Sequence, residues 1–452
     1  MKTLQKMIGK SPVQNQKNLF QPMLTEFIDM SHELVLLANK IDWNHFEKLF
    51  SKYYSHTGQP SMPIRFMAGC LLLKRLYNLG DETLAQAWIM NPYMQYFCGE
   101  THFKHKFPCD PSDFVHFRKR IGEEGIEHIF VHSIELHGKQ VKSKMVLSDT
   151  TVQENNVTFP TDAKLAKKII DKCKKIAVKE NVEQRQSYKR VSKNLVRATY
   201  NGNHPRRRKN ALKAQRKLKT IAGRVVRELN KKLPEDILPN YEPELLIYQN
   251  VLKQKRQDKN KIYSIHKPFT SCIAKGKAHK QYEFGNKVGI VVNPKNMVVL
   301  AVQSYQGNPH DSNTIEPLLD QMRQNLNYQP EEVIYDRGGR GKSQINGAMI
   351  STPKPPLKND SRYERIKKRK KFRRRAGIEP VIGHLKKGFR MEQNYLNGLN
   401  SPKINAMLAA TGWNMKKLMK KLKHELLRLY FYFNFFFKVL IDQSKLNPNF
   451  SC

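Results

Sequence analysis

Between residues 163 and 232 the chain carries 24 Lys or Arg and only 4 Asp or Glu. This window constrains the fold more than any other feature. Helical spacing runs through it, interrupted around Asn201-Gly202-Asn203-His204-Pro205, so it predicts long helices with one break. Charge this one-sided cannot be laced by ion pairs along a helix face, and it points to a surface for backbone phosphates. Strand signals lie on both sides of the window: an apolar run at 145–149, then β-branched runs after residue 262. Any sheet must therefore be assembled across a basic helical insertion, residues 155–262.

The excess is not confined to that window. The 452 residues hold 81 Lys plus Arg against 39 Asp plus Glu, a net charge of +42. A soluble metabolic enzyme rarely sustains such self-repulsion without a polyanion to neutralise it. Nucleic acid is the favoured partner class and an anionic membrane the weaker one. Residues 1–21 show no apolar segment followed by a small-residue cleavage site. The greasy run 429–437 is too short to span a bilayer, which takes about 20 apolar residues, so no membrane partner is expected. Six cysteines suit a reducing compartment rather than a disulfide scaffold.

Upstream, residues 1–135 read as a helical block. Leu34, Val35, Ala38 and Ile41 recur at helical spacing, Pro63 opens a segment apolar on most faces, and Asn78-Leu79-Gly80 stops it. Asp81 is expected to cap the next helix, and a further short helix should run from near Ser112 to near Gly122. Helix, short turn, helix fits a DNA-reading helix-turn-helix, and it equally fits a plain bundle. Downstream, residues 288–292 and 297–303 flank Asn293-Pro294-Lys295-Asn296 as a hairpin. A helix at 312–326, strands at 332–336 and 348–351, a very basic helix at 362–390 and a last amphipathic helix from Ser401 towards His424 complete the pattern.

Asp149 and Asp336 each stand at the end of an apolar strand, where neighbouring strands bring such side chains together at the ligand-binding edge. Glu379 lies in the basic helix. Three carboxylates on so basic a surface would repel a phosphate backbone unless cations lay between, and hard divalent ions take such oxygen ligands. Two metal ions about 4 Å apart suit an in-line phosphoryl displacement. For any one of these acids taken alone, a cap or a surface ion pair is the better reading. The helix tips the balance. Phe372, Arg375, Glu379 and Lys386 are spaced by 3, 4 and 7 positions, which predicts one shared face of a single helix, with Arg and Lys there to grip phosphates. Pro380 should kink that helix or mark its first turn. Cys98, His102, His105 and Cys109 have donor types suited to zinc, though not the spacing of a common finger.

These residues resemble a known family, the DDE transposases of bacterial insertion sequences, in the broad group named after insertion sequence five. The likeness is carried by residues 64–113, by Ser148-Asp149-Thr150-Thr151-Val152 with Phe159-Pro160-Thr161-Asp162, by Tyr335-Asp336-Arg337-Gly338-Gly339, and by Phe372-x2-Arg375-x3-Glu379-x6-Lys386. The last is similar to the signature written Y-R-E-K, with Phe372 in place of its Tyr. Arg337 stands where Gly is more frequent.

The resemblance implies an α/β fold: an RNase H-like mixed-sheet catalytic core (140–154 plus 263–424), an N-terminal all-α DNA-binding domain (1–135), the basic helical insertion (155–262) and an aromatic C-terminal tail (425–452). It implies Asp149, Asp336 and Glu379 as catalytic residues and as ligands of two Mg²⁺ ions, with Mn²⁺ able to substitute. Arg375, Lys386, Arg373, Arg374, Lys387, Arg206, Arg207 and Arg208 are the expected DNA contacts. The expected partners are double-stranded DNA, as the element's terminal inverted repeats and as target, and a second copy in a homodimeric active complex. The expected place is the cytoplasm, associated with the nucleoid. The rival readings are a catalytically inactive or repurposed DNA-binding descendant and a basic RNA-binding structural protein.

Overall fold

The computed structural model describes residues 8–10, 21–55, 57–255, 257–277, 280–353, 357 and 359–446. Most of the segment read for a secretory signal, and the end of the aromatic tail, lie outside them. Seven helices come first: α1 (Leu24–Phe27), α2 (Glu33–Lys40), α3 (Trp43–Phe50), α4 (Ile64–Leu76), α5 (Asp81–Met90), α6 (Pro92–Phe97) and α7 (Asp113–Glu135). Twelve of the thirteen residues of α4 are buried, as expected of a helix apolar all round. It ends where Asn78 takes a positive φ. Gly122 interrupts α7 with φ +61°, a conformation glycine adopts without steric cost. The expected short helix thus ends where foreseen, and a second helical segment follows at once.

Asp81 does not cap α5. Gly80 is the N-cap, and the Asp81 carboxylate instead takes Arg118 through two 3.0 Å bonds and Lys74 at 2.5 Å. A four-residue connection joins α4 to α5, but α5 contains no Lys or Arg with which to hold a phosphate.

The sheet strands are β1 (Met145–Asn155), β2 (Ser271–Lys277), β3 (Lys280–Val292), β4 (Val299–Tyr305), β5 (Glu332–Ile334), β6 (Gln344–Ile345), β7 (Ala348–Ser351) and β8 (Gln393–Asn394). The central path runs β4-β3-β1-β5-β7. The first three strands are antiparallel, and β1, β5 and β7 are parallel. An antiparallel β4-β3-β1 run on one side of the first strand and two strands parallel to it on the other make the RNase H-like mixed sheet. Helices α12 (Ile315–Leu326), α13 (Arg362–Arg375), α14 (Ile378–Gly388) and α15 (Ser401–Leu446) complete this part.

One continuous hydrophobic core runs from Leu34 in α2 through the sheet to Met419 in α15, so the N-terminal helices and the sheet are packed as one body. The basic insertion forms α8 (Asp162–Lys179), α9 (Lys189–Ala198), α10 (Pro205–Lys232) and α11 (Leu238–Lys253). It has a core of its own, built from Ile169, Cys173, Leu218, Val225 and Tyr248 among others.

The described side chains of the aromatic tail, 425–435, do not pack on the core. The tail prolongs α15 with Leu429, Tyr430, Phe431, Tyr432, Phe433 and Phe435 exposed. Among the described residues, no helix is long and apolar enough to cross a membrane.

Candidate active site at the junction of two parallel strands

The parallel register of β1 and β5 builds the site. Leu147 stands opposite Ile334, so two residues further along Asp149 and Asp336 come abreast. Asp149 is not at a strand end, as its apolar run suggested. β1 continues to Asn155 because β3 pairs with it from Leu147 to Glu154. Asp336 does leave its strand. Its carboxylate accepts the Gly338 N–H at 2.8 Å and starts a single 3-10 turn through Arg337–Gly339. A side chain at Gly338 would lie 2.5 Å from Asp311 Oδ2 and 3.0 Å from Asp336 Oδ1, so only glycine lets these acids flank the turn.

Glu379 arrives on a different helix from the one expected. The stretch 362–390 is not one helix: α13 ends at Arg375, and α14 starts at Ile378 after a break at Ala376-Gly377. Pro380 sits in the first turn of α14, where a missing N–H breaks no bond. The shared face inferred for Phe372, Arg375, Glu379 and Lys386 is therefore divided between two helix ends, yet the residues still converge. Phe372 packs against the core.

Arg375 is the hub. Its Nη2 donates to Asp149 Oδ2 at 2.9 Å and lies 3.8 Å from Asp336 Oδ2, while Nη1 is 3.5 Å from Glu379 Oε1. The three acids thus surround one cation. Their exposure differs: the Asp149 side chain is 13 % accessible, Asp336 35 % and Glu379 62 %. Burial pushes the Asp149 carboxyl up to about 6. The Arg375 charge and the Thr150 N–H act against that rise, and the nearby Asp336 charge adds to it.

An oxygen-only donor set gathered on one cation is the set a hard divalent ion takes. Around the guanidinium, however, the acids are held apart. Among the described residues no three or more His, Cys, Asp or Glu stand close enough to hold a metal ion. That applies equally to Cys98, His102, His105 and Cys109. Cys98 is buried with its Sγ 3.6 Å from Cys70, and His102 pairs with Thr101.

A second tier of residues gathers around Asp311. Lys287 on β3 binds Asp311 Oδ1 at 2.9 Å, and the Thr150 hydroxyl donates to the same oxygen at 2.9 Å. Thr150 therefore ties the first strand to this outer acid. The signal available in the sequence was a lysine directly preceding an apolar strand run, and His310-Asp311 within reach of the catalytic segments.

Of the expected DNA contacts, Arg373 and Lys387 are exposed and Lys386 is half-buried on α14. Arg374 donates to the Pro294 carbonyl at 3.4 Å. Arg206, Arg207 and Arg208 are exposed in the first turn of α10, on the insertion with its separate core. His384 stacks on Trp413 with ring centroids 5.4 Å apart.

Comparison with known proteins agrees with this geometry. Residues 22–120 match a family model described as Transposase domain (DUF772), and residues 254–415 match one described as Transposase DDE domain. An uncharacterized protein, ORF8 in the nfe locus of Rhizobium meliloti, is 35 % identical over 187 residues, covering 40 % of this chain and 90 % of that protein. No solved structure matches the chain. A helical block and an RNase H-like sheet, each matched by a transposase model and joined in one core, show that the chain belongs to the DDE transposases of insertion sequences.

Proposed function

We propose that the chain cuts the ends of its element and joins them to target DNA, with Asp149, Asp336 and Glu379 as the metal-holding catalytic acids. The observation that carries this is the convergence of those three carboxylates, from two parallel strands and a helix, on a single positive centre. A divalent ion such as Mg²⁺, or Mn²⁺ in its place, supplies a Lewis acid that activates a water or a 3′-hydroxyl without a covalent protein–DNA intermediate.

The chain's own residues do the rest. Asp149, seated deepest, fixes the inner side of the site. Asp336 is aimed by its bond to Gly338 N–H, and Glu379 closes the solvent side. Arg373 and Lys387 line the approach, where they can hold the phosphates beside the cut.

The insertion is the second DNA-gripping element. Arg206, Arg207 and Arg208 occupy the first turn of α10, the positive end of the helix dipole, where cations are unfavourable by about 0.3–1 kcal/mol each. A bound phosphate backbone relieves that repulsion. Because two element ends react together, the active complex is a homodimer on DNA.

The test is a Mg²⁺-dependent nicking assay on end-containing duplex. Asp149→Asn, Asp336→Asn and Glu379→Gln should each abolish cleavage and retain end binding in a mobility-shift assay. Full cleavage by any one of them removes that residue from the site. Wild-type protein that binds ends but never nicks them would be the inactive, repurposed descendant instead.

A further inference from the structure

Arg375 is turned the wrong way for a phosphate clamp. Both terminal nitrogens face the acids, the side chain is only 20 % accessible, and Nε is buried without a hydrogen-bond partner. Charge therefore holds the guanidinium in place, rather than a full set of bonds. Its seat is also the centre of the acidic cluster. A guanidinium bonded to Asp149 at 2.9 Å cannot share that oxygen's inner face with an ion that needs oxygens at about 2.0–2.1 Å.

The mount is suited to release. Arg375 is the last residue of α13, a helix with no fully buried residue, and a two-residue turn at Ala376-Gly377 separates it from α14.

We propose that Arg375 is a built-in counter-ion of the metal-free site, competing with the divalent ion for Asp149 and leaving when the ion arrives. This rests on the reading of Asp149, Asp336 and Glu379 as metal ligands. In the absence of metal it offsets the repulsion between Asp149 and Asp336. Once displaced, the guanidinium points to solvent at the rim of the site and becomes available to a phosphodiester. Arg375 is thus a positioning residue with two stations, and it lowers the affinity of the site for metal in the absence of DNA.

The probe is Mn²⁺ alone, titrated into the full chain without DNA and followed by loss of the free-ion electron paramagnetic resonance signal. Arg375→Gln, checked for folding by circular dichroism, should bind Mn²⁺ at least fivefold more tightly than wild type. Equal or weaker binding by Arg375→Gln, with binding abolished in Asp149→Asn, overturns the counter-ion role and leaves the metal-ligand reading intact. Unchanged Mn²⁺ binding in both Asp149→Asn and Glu379→Gln overturns that reading and this proposal together. A second measurement needs no variant. Phenylglyoxal labelling of Arg375 in the wild type, read by mass spectrometry, should rise severalfold on Mn²⁺ addition, and an unchanged rate counts against release.

Discussion

Replacing Asp149 with Asn should make the protein more stable while removing its chemistry. The magnitude follows from where the carboxyl sits. Its ordinary value of 3.8 is pushed to about 6 by burial, even with Arg375 beside it. At pH 7.5 the side chain is ionised in both the folded and the unfolded chain, and holding that charge in the folded site costs about 3 kcal/mol, at 1.36 kcal/mol per unit. The sign is set by proton binding. Between pH 3.8 and 6 the folded state holds more protons than the unfolded one, so this group's contribution falls as pH rises through that window. Asn resembles the protonated carboxyl and avoids the cost. With unfolding entropy near 2.1 cal/mol/K per residue, 3 kcal/mol in a chain of this length raises the melting temperature by about 3 °C. The assay is a thermal melt in EDTA, so that metal bound by the wild type does not offset the difference. The advantage of Asp149→Asn should be full at pH 7.5, roughly half at pH 5 and absent below 3.8. An Asp149→Asn protein that melts no higher than wild type at pH 7.5, or whose advantage persists at low pH, refutes the reasoning.

Three further outcomes follow from other parts of the fold. His132 is packed against Phe46 and stacked on His45, and burial with the neighbouring His45 lowers it to about 4; Glu135 at 3.8 Å, mostly in water, does not offset this. The unfolded chain takes up that proton first, so stability drops by about 2 kcal/mol between pH 7.5 and 5, and urea midpoints of His132→Phe should be flatter over that interval. Asp81→Asn strips the partner from Arg118 and from Lys74, whose ammonium burial already lowers to about 8; leaving two buried cations uncompensated should cost about 3–5 kcal/mol, read by chemical denaturation, and a change below 1 kcal/mol would mean that the pair is screened like a surface ion pair. Replacing Arg206, Arg207 and Arg208 together with Ala should lower the slope of log affinity against log salt by about 3 without altering the melting temperature, and an unchanged slope in fluorescence anisotropy would place the insertion's DNA contacts elsewhere.

The elements around the acids were legible because each leaves a local signature. The apolar runs at 145–149 and 332–336, the Asn-Pro turn before β4 and the 348–351 strand all appear in the structure, and Gly122 stops its helix as a glycine should. What failed were the judgements that depend on partners. Asp149 ended an apolar run, but β1 goes on because β3 pairs along its more polar half. Asp81 looked like a cap, but two distant cations, Lys74 and Arg118, claimed its carboxylate. The stretch 362–390 reads as one helix on composition, with Pro380 as its expected kink or first-turn residue. Pro380 decides it: with no N–H and its ring against the carbonyl four residues back, it belongs in the first turn of a new helix and leaves Ala376-Gly377 as the turn between the two. Lys287 and Asp311 were obscured in the same way, since a salt bridge between residues 24 apart has no periodicity to betray it.

The charge of +42 raises the question of why a single arginine should stand among the three acids. Cations are abundant on either side of it, yet most of them belong to surfaces that must remain open to a polyanion. Those on α10 face solvent at a helix start, and those on α13 line a helix with nothing buried. A lysine or arginine rooted in the core could neutralise the acids permanently, but it would then block the site permanently. Arg375 stands where the two demands meet. It reaches the cluster from a helix end, so the three carboxylates can be folded close together without mutual expulsion. Leaving breaks its ion pairs with Asp149, Asp336 and Glu379. The break at Ala376-Gly377 is then as much a part of the site as the acids. An alanine at Gly377, by crowding the end of Met297 and the Arg374 carbonyl and so unseating Arg375, should tighten Mn²⁺ binding without DNA, as Arg375→Gln does, and lower cleavage in a nicking assay, although it touches no carboxylate. Unaltered values for both would show that the position of the helix break is incidental to the site.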